Sequence, residues 1–428
     1  MEGISNAELE KLAYSSGLIK RASRKIDVID FLTLMCLESQ KGSPSYNDLA
    51  ARFETTYKQN PSKQAVSKKI NPACILFFQS VLAYVIKSKL PKSELELLKN
   101  VNFNRILVQD STILKLPQRL FKIFSGVSNG HAAVCNTRIQ GVYNLLSGRF
   151  ISFSIDTYTK NDLLAAPELE LCKGDLTLRD RGYFTKGEVN RHIQAGADFI
   201  YRYKHKTIFY DPKTREEIDL SNLLKGKASL DMEVCMNEDC NLKVRLIAVV
   251  VSDDVANIRR RKARKESNGH NPSAELLGLM AWTIFITTIP VEQADFHKIF
   301  MIYGLRWRIE IIFKSWKSHM QFAKLHNVSE NQLRVILTAR FIMIVIYMQN
   351  IYYPCFQRVY FKYKRSISLL KLLNYLMKNP EKMMEILYVN AIYNETKVNA
   401  IDKSLIRYCA YDGRLRLNFN QMLRLALA

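Results

Sequence analysis

The chain has 428 residues, of which 48% are hydrophobic and 24% are charged, as is ordinary for a soluble globular protein. Its length suffices for a large core and for two or three domains. Sixty-three Lys and Arg residues stand against forty Asp and Glu residues, which leaves a formal net charge of +23. This surplus favours a polyanionic partner, nucleic acid first and a membrane surface second; the alternative is a generally basic, solvated surface.

The sequence gives no indication of export or membrane insertion. The opening stretch, MEGISNAELEKLAYSS, contains early acidic residues and no apolar segment of the kind that a secretory signal has. The most apolar run, Val335 to Tyr353, contains polar residues within it, so we predict a buried helix rather than a span. We therefore expect a cytoplasmic protein without a membrane partner.

The cysteines do not form a metal-binding pattern. Eight are scattered along the chain with no CxxC pair, and Cys235 and Cys240 are the closest two. A second Cys/His pair is not near enough in sequence to complete a zinc site. We expect reduced cysteines in the core of a cytosolic protein.

Residues 1–100 have helical periodicity. A helix at Asn47–Phe53 is followed by a second one capped by Ser62 and carrying basic residues. This pair predicts a helix-turn-helix, although the connection from Glu54 to Pro61 is longer than usual. A plain helical bundle is the alternative.

From residue 101 the pattern changes to short apolar strands. Strands are predicted at Ile106–Val108, at Leu176–Leu178, and on both sides of a Ser147-Gly148 hairpin turn. A helix over Lys186–Ala195 precedes a strand that begins at Asp198.

Further strands are predicted around Lys206–Tyr210, at Val244–Val251 and at Trp282–Ile289. The densest basic run of the chain lies between the last two, from Arg259 to Lys265. Residues 293–428 are helical by periodicity. This order predicts an α/β fold, with strands and helices mixed around a core and a β-rich insertion inside it.

The segment from Tyr303 to Lys317 is predicted as one helix with two distinct faces. At 100° per residue, four polar or aromatic side chains fall within one narrow arc along about 21 Å of helix: Tyr303, Arg306, Glu310 and Lys317. Six apolar side chains form the neighbouring face and are predicted to be buried: Ile302, Leu305, Ile309, Ile312, Phe313 and Trp316. The polar arc combines a carboxylate that can hold a metal with cations that suit phosphate oxygens.

Two aspartates follow predicted strands, Asp110 in LVQDST and Asp180 in LTLRDRGYF. A strand end presents its carboxylate at a fixed point, and Glu310 could join the two aspartates in one cluster. Three clustered carboxylates repel one another unless cations such as Mg²⁺ or Mn²⁺ are bound among them. By spacing alone the metal site is one hypothesis. The alternative is that these aspartates only cap a turn, as many aspartates after strands do.

The spacing Tyr303-x2-Arg306-x3-Glu310-x6-Lys317 resembles the Tyr-Arg-Glu-Lys signature of the cut-and-paste insertion-sequence transposases of the DDE class. The QDST around Asp110, the DRGYF around Asp180 and the segment TTIPVEQADFHKIFMIYGLRWRIEIIFK resemble the same family, in its order. The resemblance covers roughly residues 15–350. It implies a ribonuclease H-like core at 101–200 and 282–345, a β-rich insertion at 201–281, a helical DNA-binding region at 1–100 and a helical region at 346–428.

The resemblance also implies roles for individual residues. Asp110, Asp180 and Glu310 would be the catalytic triad and would bind two Mg²⁺ ions, with Mn²⁺ as a possible substitute. Arg306 and Lys317 would hold phosphates at the end of the element, with Tyr303 beside them. The partners would be the terminal inverted repeats and target DNA, bound by a homodimer in the cytoplasm at the bacterial nucleoid.

Other residues are weaker candidates for contacts with DNA. In the family, an aromatic side chain from the last strand of the insertion receives a flipped base, and Trp282 lies at about that place; a core tryptophan is the alternative. Arg181 either reaches phosphate or forms a local ion pair. The basic run is expected to contact the DNA backbone through six side chains: Arg259, Arg260, Arg261, Lys262, Arg264 and Lys265.

Two rival functions are compatible with parts of this pattern. A catalytically inactive DNA-binding regulator would keep the basic surface but lose a member of the triad, and all three acids are present. Another ribonuclease H-like nuclease, such as a junction resolvase, would not need the Tyr-Arg-Lys companions of Glu310. We therefore expect a DNA transposase that catalyses metal-dependent strand cleavage and strand transfer.

Overall fold

The computed structural model describes residues 5–20, 26–88, 102–126, 134–166, 168–267, 270–319, 322–391, 394–411 and 417–427. Its strands are β1 (Arg105–Lys115), β2 (Asn136–Asn144), β3 (Arg149–Thr157), β4 (Asp175–Arg179), β5 (Asp198–Arg202), β6 (Ser229–Cys235), β7 (Lys243–Val250) and β8 (Trp282–Thr287). Its first ten α-helices are α1 (Asn6–Ser15), α2 (Val28–Ser39), α3 (Tyr46–Arg52), α4 (Lys63–Lys69), α5 (Pro72–Lys87), α6 (Lys186–Ala195), α7 (Leu220–Leu224), α8 (Asp253–Glu266), α9 (Ala274–Leu279) and α10 (Phe296–Gly304). The remaining helices are α11 (Trp307–His319), α12 (Glu330–Ile346), α13 (Tyr353–Tyr363), α14 (Leu369–Lys378), α15 (Pro380–Ala391), α16 (Glu395–Cys409) and α17 (Phe419–Leu427).

The chain divides into two compact units. The first unit comprises Met1–Leu97, Ser111–Pro167 and Trp307–Asn420, and the second comprises Leu98–Asp110, Glu168–Arg306 and Gln421–Ala428. Strand β1 therefore contributes residues to both units. The division into four functional regions expected from the sequence stays a prediction.

In the first unit the strand order is β3-β2-β1, and helices pack on the β2–β3 hairpin. The two strands pair antiparallel, with Gly141 opposite Phe153, as the predicted hairpin requires. Gly148 in its turn has a φ of +66°, a left-handed conformation that glycine adopts without steric cost. Helices α5 and α12 pack on each other and on β3.

The predicted pair of short helices is present near the N-terminus. Helix α4 has Ser62 as its N-cap, and its side chain accepts a hydrogen bond from the amide of Ala65. Helices α3 and α4 pack on each other, joined by a π-helical turn at Phe53–Tyr57 and a short loop. The long connection is thus part helix. The predicted N-terminal region also includes residues 1–4, 21–25 and 89–100, which lie outside the described residues.

The apolar run near residue 340 is a buried helix, as predicted. Within the described residues, Glu330–Tyr363 is long and apolar enough to cross a membrane, but 89% of its most apolar window is buried inside the protein. Helices α4 and α5 meet the same criterion only as a pair, and they are bent by 64°. Arg340 on α12 is fully buried and donates hydrogen bonds to the carbonyls of Ser39, Gly42 and Phe322. These bonds attach α12 to the end of α2, and burial lowers the pKa of Arg340 to about 10.

In the second unit the strand order is β1-β4-β5-β8-β7-β6. Strands β1, β4 and β5 are parallel, with α6 as the crossover between β4 and β5, whereas β8, β7 and β6 continue the sheet in antiparallel fashion. The predicted β-rich insertion thus supplies β6 and β7 to the sheet itself. The predicted mixed α/β fold class is confirmed, and the ribonuclease H-like core stays a prediction.

Two local predictions for this unit are wrong. Residues Lys206–Tyr210 do not form a strand, because Lys206 has a φ of +70° and Tyr210 forms only isolated bridges. Cys235 and Cys240 are joined in a disulfide rather than reduced. Cys235 ends β6 and Cys240 lies in the following turn, whose reversal brings the two Cα atoms to 4.9 Å.

A buried histidine joins β4 to α6. His192 lies 2.7 Å from the Thr177 hydroxyl through Nε2, and 2.7 Å from the carbonyl oxygen of Glu188 through Nδ1. It is fully buried, and burial lowers its pKa from 6.5 to about 4. The folded protein therefore holds this ring neutral at pH values where the unfolded chain protonates it.

We expect the unfolding free energy to fall as the pH drops from about 6.5 toward 4, because the unfolded state then binds a proton that the folded state does not. Between pH 7 and pH 5 the titration of His192 should lower the unfolding free energy by about 2 kcal/mol. Urea unfolding at both pH values should give a smaller difference for His192→Gln, which keeps a polar side chain without this titration. The exposed His297→Gln variant serves as control and should behave like the wild type. An unchanged pH dependence in His192→Gln would contradict the assignment.

Candidate active site

The parallel pairing of β1 and β4 brings two of the predicted acids together. Its register runs from Arg105 opposite Asp175 to Gln109 opposite Arg179. Asp110 and Asp180 are the next residues on the two strands, and neighbouring strands lie about 4.8 Å apart. If the register continues by one residue, the two aspartates lie side by side within the second unit.

Their local settings differ from one another. Asp180 follows the last residue of β4, as predicted, and precedes a short 3₁₀ turn at Arg181–Tyr183. The prediction that Asp110 also follows a strand is wrong, because β1 continues to Lys115 and Asp110 lies in its middle. Strand β1 extends beyond its pairing with β4, which ends at Gln109, and its second half belongs to the first unit.

An ion pair fixes the start of the β1–β4 pairing, and a second set of ion pairs holds the end of β4 to α6. At the start, Arg105 donates to fully buried Asp175 through Nε at 2.8 Å and Nη2 at 2.5 Å. At the end, Arg179 is buried and donates to Glu188 of α6 at 2.7 Å, and Arg191 donates to the other oxygen of Glu188 at 2.6 Å. The two arginines outweigh the effect of burial and lower the pKa of Glu188. The side chain of Arg179, the residue before Asp180, is thus held in the interior of the unit.

The segment carrying the Tyr-Arg-Glu-Lys spacing is not one helix. Helix α10 ends at Gly304 and α11 begins at Trp307, so the prediction of a continuous helix is wrong. Leu305 and Arg306 form the turn between them, in which Arg306 donates its amide proton to the carbonyl of Tyr303. The six apolar residues predicted to face a core are all buried.

The first half of the signature belongs to the second unit. Tyr303 lies near the end of α10 with its hydroxyl 3.4 Å from the carbonyl oxygen of Arg179. The guanidinium of Arg306 pairs with Asp110, with 3.3 Å between Nη1 and Oδ2. The two signature residues therefore contact β4 and β1, the strands that lead to or carry the two aspartates.

The second half of the signature belongs to the first unit. Glu310 lies partly exposed in the first turn of α11. Lys317, further along α11, donates from Nζ to the carbonyl oxygen of Ile113 at 3.0 Å, and burial lowers its pKa. Helix α11 is held in place by buried Arg308, which donates to the hydroxyl of Tyr352 at 3.0 Å.

The described ranges of the chain contain no group of three or more His, Cys, Asp or Glu side chains arranged to hold a metal ion. Asp110 and Asp180 directly follow the last paired residues of β1 and β4. The metal-binding triad of Asp110, Asp180 and Glu310 stays a prediction.

A cationic and aromatic cavity of about 590 Å³ opens beside Asp180 in the second unit. Predicted residues that line it include Arg181, Trp282 and Arg306. Three further residues line the same cavity and were missed from the sequence: Arg202, Tyr203 and His205. Arg202 is the last residue of β5, and Tyr203 and His205 follow it in the segment DFIYRYKH. The pairing of Arg179 with Tyr201 directly precedes Asp180 and Arg202, so the strand register is the signal that could have found them.

The basic run forms half of helix α8 and divides into two groups. Arg259 donates to the carbonyl oxygen of Trp282 at 2.9 Å and to the Thr283 hydroxyl at 3.0 Å, and Arg260 donates to the carbonyl oxygen of Leu277 at 3.1 Å. The other four cations of the run have exposed side chains: Arg261, Lys262, Arg264 and Lys265. Arg259 therefore attaches α8 to the start of β8, and the exposed group faces solvent.

A protein-family model described as "Transposase DDE domain" matches residues 102–346, which is more than half of the chain. The chain belongs to this family and is a DNA transposase.

Individual relatives agree with this family assignment. The transposase for insertion sequence element IS231E of Bacillus thuringiensis subsp. finitimus is 26% identical, over 95% of this chain and 89% of that protein. The transposase for IS231B of B. thuringiensis subsp. berliner is 28% identical, over 79% of this chain and 76% of that protein. The transposase for IS1151 of Clostridium perfringens is 25% identical, over 79% and 76% respectively.

Among solved structures, the cryo-EM structure of a piggyBac transposase synaptic complex with hairpin DNA matches at a TM-score of 0.43 and 10% identity, covering 96% of this chain and 84% of that one.

We expect Arg259→Met to lower the unfolding free energy by about 1–2 kcal/mol, because two acceptors on β8 lose their charged donor. Arg261→Met, two residues along the same helix, removes an exposed guanidinium and should change it by less than about 0.5 kcal/mol. Urea unfolding of both variants and of the wild type measures these unfolding free energies. Equal destabilisation by both substitutions would contradict the distinction drawn within α8.

Proposed function

We propose that this transposase binds the terminal inverted repeats of its own insertion element and moves the element by a cut-and-paste reaction. Strand cleavage and the later joining to target DNA would occur at one site built on Asp110, Asp180 and Glu310. The observation that carries this proposal is the parallel register of β1 and β4, whose last pair, Gln109 opposite Arg179, directly precedes Asp110 and Asp180. Two adjacent carboxylates at a sheet are a costly arrangement for a fold to keep without a cationic partner.

The donor chemistry of these residues fits divalent cations. Carboxylate oxygens are the ligands of Mg²⁺ and Mn²⁺, and Mg²⁺ is commonly bound by one or two carboxylates together with substrate phosphates. Both aspartates are partly exposed, so phosphate oxygens can approach them. Asp110 and Asp180 would thus hold two Mg²⁺ ions, with Mn²⁺ as a substitute and with Glu310 as the third ligand suggested by the signature.

Bound divalent ions supply activation of the attacking water or 3′-hydroxyl and stabilisation of the leaving oxygen. The protein's own contribution is to position the reacting groups. The fixed β1–β4 pairing holds the two carboxylates before DNA arrives, so little ordering remains to be done in the reaction. Arg306 offers a bidentate fork and Lys317 a point charge for phosphates at the element's end.

The cavity beside Asp180 suits a nucleotide at the cleaved end. Trp282 provides an aromatic surface on which a base can stack, and Arg181 provides a charge for its phosphate. A base taken out of the duplex here would leave room for a hairpin intermediate. The cavity's position next to an acid of the site is the observation that favours this role over a purely structural tryptophan.

The remaining assignments concern the wider molecule. The exposed cations of α8, and Arg259 and Arg260 at its base, would follow the DNA backbone, in keeping with the net charge of +23. Residues 1–100 would recognise the inverted repeat, 201–281 form the insertion and 346–428 form the helical C-terminal region. The working unit would be a homodimer that pairs two ends, in the bacterial cytoplasm at the nucleoid.

We expect Asp110→Asn, Asp180→Asn and Glu310→Gln each to reduce Mg²⁺-dependent cleavage of the element's end by at least about 100-fold, since each removes a charged oxygen ligand. Cleavage of intact and of pre-nicked end duplexes, resolved on a denaturing gel, measures this and separates hairpin from linear product. Exposed Asp253→Asn and Glu292→Gln are matched controls that should cleave normally.

DNA binding in EDTA should persist in all three active-site variants. Cleavage retained by Asp110→Asn would contradict the proposed site. A wild-type protein that binds the ends but never cuts them would indicate the inactive regulator, and cutting of branched DNA without preference for the ends would indicate a different ribonuclease H-like nuclease.

Replacing Arg261, Arg264 and Lys265 together by Gln should weaken binding to the end duplex and flatten its salt dependence. Each lost phosphate contact lowers the slope of log K against log salt by about 0.9, so the triple variant should lose about two to three units. Fluorescence anisotropy at several NaCl concentrations gives the slope. Exchanging Lys186, Lys225 and Lys227 for Gln removes the same charge elsewhere in the second unit, and an equal loss of slope there would refute a specific role for α8.

A further inference from the structure

We propose that Arg245 is a positioning residue, which holds the turn between β8 and α10 and thereby sets where the chain after α10 places Arg306. The inference deepens the proposed function, because it rests on the proposed role of Arg306 beside Asp110. Arg245 lies on β7 in the second unit and was not among the residues predicted from the sequence.

Arg245 is a buried cation, and each of its three nitrogens donates hydrogen bonds inside the protein. The residue is 8% exposed. Its Nε and Nη2 donate to the two carboxylate oxygens of Asp231 on β6, at 2.7 and 2.6 Å. Its Nη1 donates to the carbonyl oxygens of Ile289 and Ala294, at 3.2 and 2.6 Å. A guanidinium occupied in this way supports the fold around it rather than a phosphate at the surface.

The two carbonyls that Arg245 holds lie at opposite ends of one turn. Ile289 lies just after β8, and Ala294 directly precedes Asp295, the N-cap of α10. The amide of Ala294 also donates to the carbonyl of Pro290 at 3.2 Å, which closes the turn. One guanidinium therefore joins the entry and the exit of the turn and fixes both to β6.

This turn sets the direction in which α10 leaves the sheet. Asp295 begins the helix by accepting a hydrogen bond from the amide of Lys298 at 2.7 Å, directly after the carbonyl held by Arg245. Further along the helix, Phe300 packs on Phe285 of β8 with 4.8 Å between ring centroids. Helix α10 is thus held at its start by a charged group and at its middle by aromatic packing.

The far end of α10 leads to the proposed site. The amide of Arg306 donates to the carbonyl of Tyr303 at 3.0 Å, and its guanidinium pairs with Asp110 at 3.3 Å. Helix α10 has nine residues and is therefore about 13 Å long. A tilt of about 5° at its start would displace its far end by about 1 Å. A misplacement of that size can lower the rate of a positioned reaction by up to about 100-fold.

The test is a double-mutant cycle in the 428-residue chain with Arg245→Met and Arg306→Gln. Single-turnover cleavage of the end duplex with Mg²⁺ is measured well below the melting temperature of every variant. We expect Arg245→Met to lower the rate constant about tenfold in the wild-type background. In the Arg306→Gln background it should lower the rate constant by less than about threefold, because the guanidinium that it misplaces is absent.

Arg245→Lys separates the positioning role from a need for charge alone. A lysine keeps a positive charge beside Asp231, but a single amine lacks the planar fork that bonds the carboxylate and both carbonyls together. We therefore expect Arg245→Lys also to cleave more slowly than the wild type. This variant retains most of the buried side chain, so it keeps the test available if Arg245→Met does not fold.

Hydrogen exchange of residues 296–306, measured by mass spectrometry without DNA or metal, reports on α10 independently of activity. Exchange there should be at least about tenfold faster in Arg245→Met, because the start of the helix then opens more often. Arg358→Met is the matched control. Arg358 donates to fully buried Asp402 at 2.7 Å in the first unit, so this variant also loses an ion pair but should leave exchange of 296–306 unchanged.

Equal losses of rate by Arg245→Met in both backgrounds would overturn the inference in favour of a general loss of stability. A wild-type rate for Arg245→Lys, or unchanged exchange of residues 296–306 in Arg245→Met, would overturn it as well. Failure of the proposed function gives a different result, in which Asp110→Asn retains cleavage while exchange of 296–306 still rises in Arg245→Met. In that case the attachment of α10 is supported and its role in cleavage is overturned.

Discussion

The parallel pairing of β1 with β4 is the constraint on which the proposed site depends. Parallel strands align residue for residue, so one register decides whether Asp110 and Asp180 are neighbours or lie on opposite faces. Arg105 and Asp175 fix the register at its start through a two-bonded ion pair that is largely removed from water. Since breaking such a pair leaves a buried charge unpaired, slippage of the register is strongly opposed.

Charge is organised around this pairing on several levels. The two aspartates repel each other, and Arg306 offsets part of this repulsion through its contact with Asp110. Behind β4, Glu188 is shared by Arg179 and Arg191, so the strand end is held by a network in which each charge has a partner. At the surface the positive charges prevail, as on α8, where they can meet a polyanion. The interior thus positions acids, and the exterior attracts DNA.

The turn at Leu305–Arg306 gives the signature a different meaning from the one that its spacing suggests. On a continuous helix the four residues would share one face and one role. In the folded chain, Tyr303 and Arg306 belong to the second unit and contact the β1 and β4 strands, whereas Glu310 and Lys317 belong to the first unit on α11. The signature therefore divides between two residues that contact the strands of the two aspartates and two residues carried on α11.

Local chemistry determined a large part of this protein. The hairpin at Gly148, the helix over Lys186–Ala195, the burial of the apolar face of 302–316 and the family itself all follow from the sequence, because turn residues, periodicity and motif spacing act over short distances. Long-range pairing decided the rest. Asp110 lies inside a strand because β1 continues beyond its pairing with β4. The hydroxyl of Tyr303 meets the Arg179 carbonyl, and Arg259 meets β8, across gaps of more than twenty residues that no local pattern encodes. The sequence by itself determined the family and the candidate residues of the site; only the tertiary structure decided which of them touch, because contact depends on strand register and helix packing between distant segments.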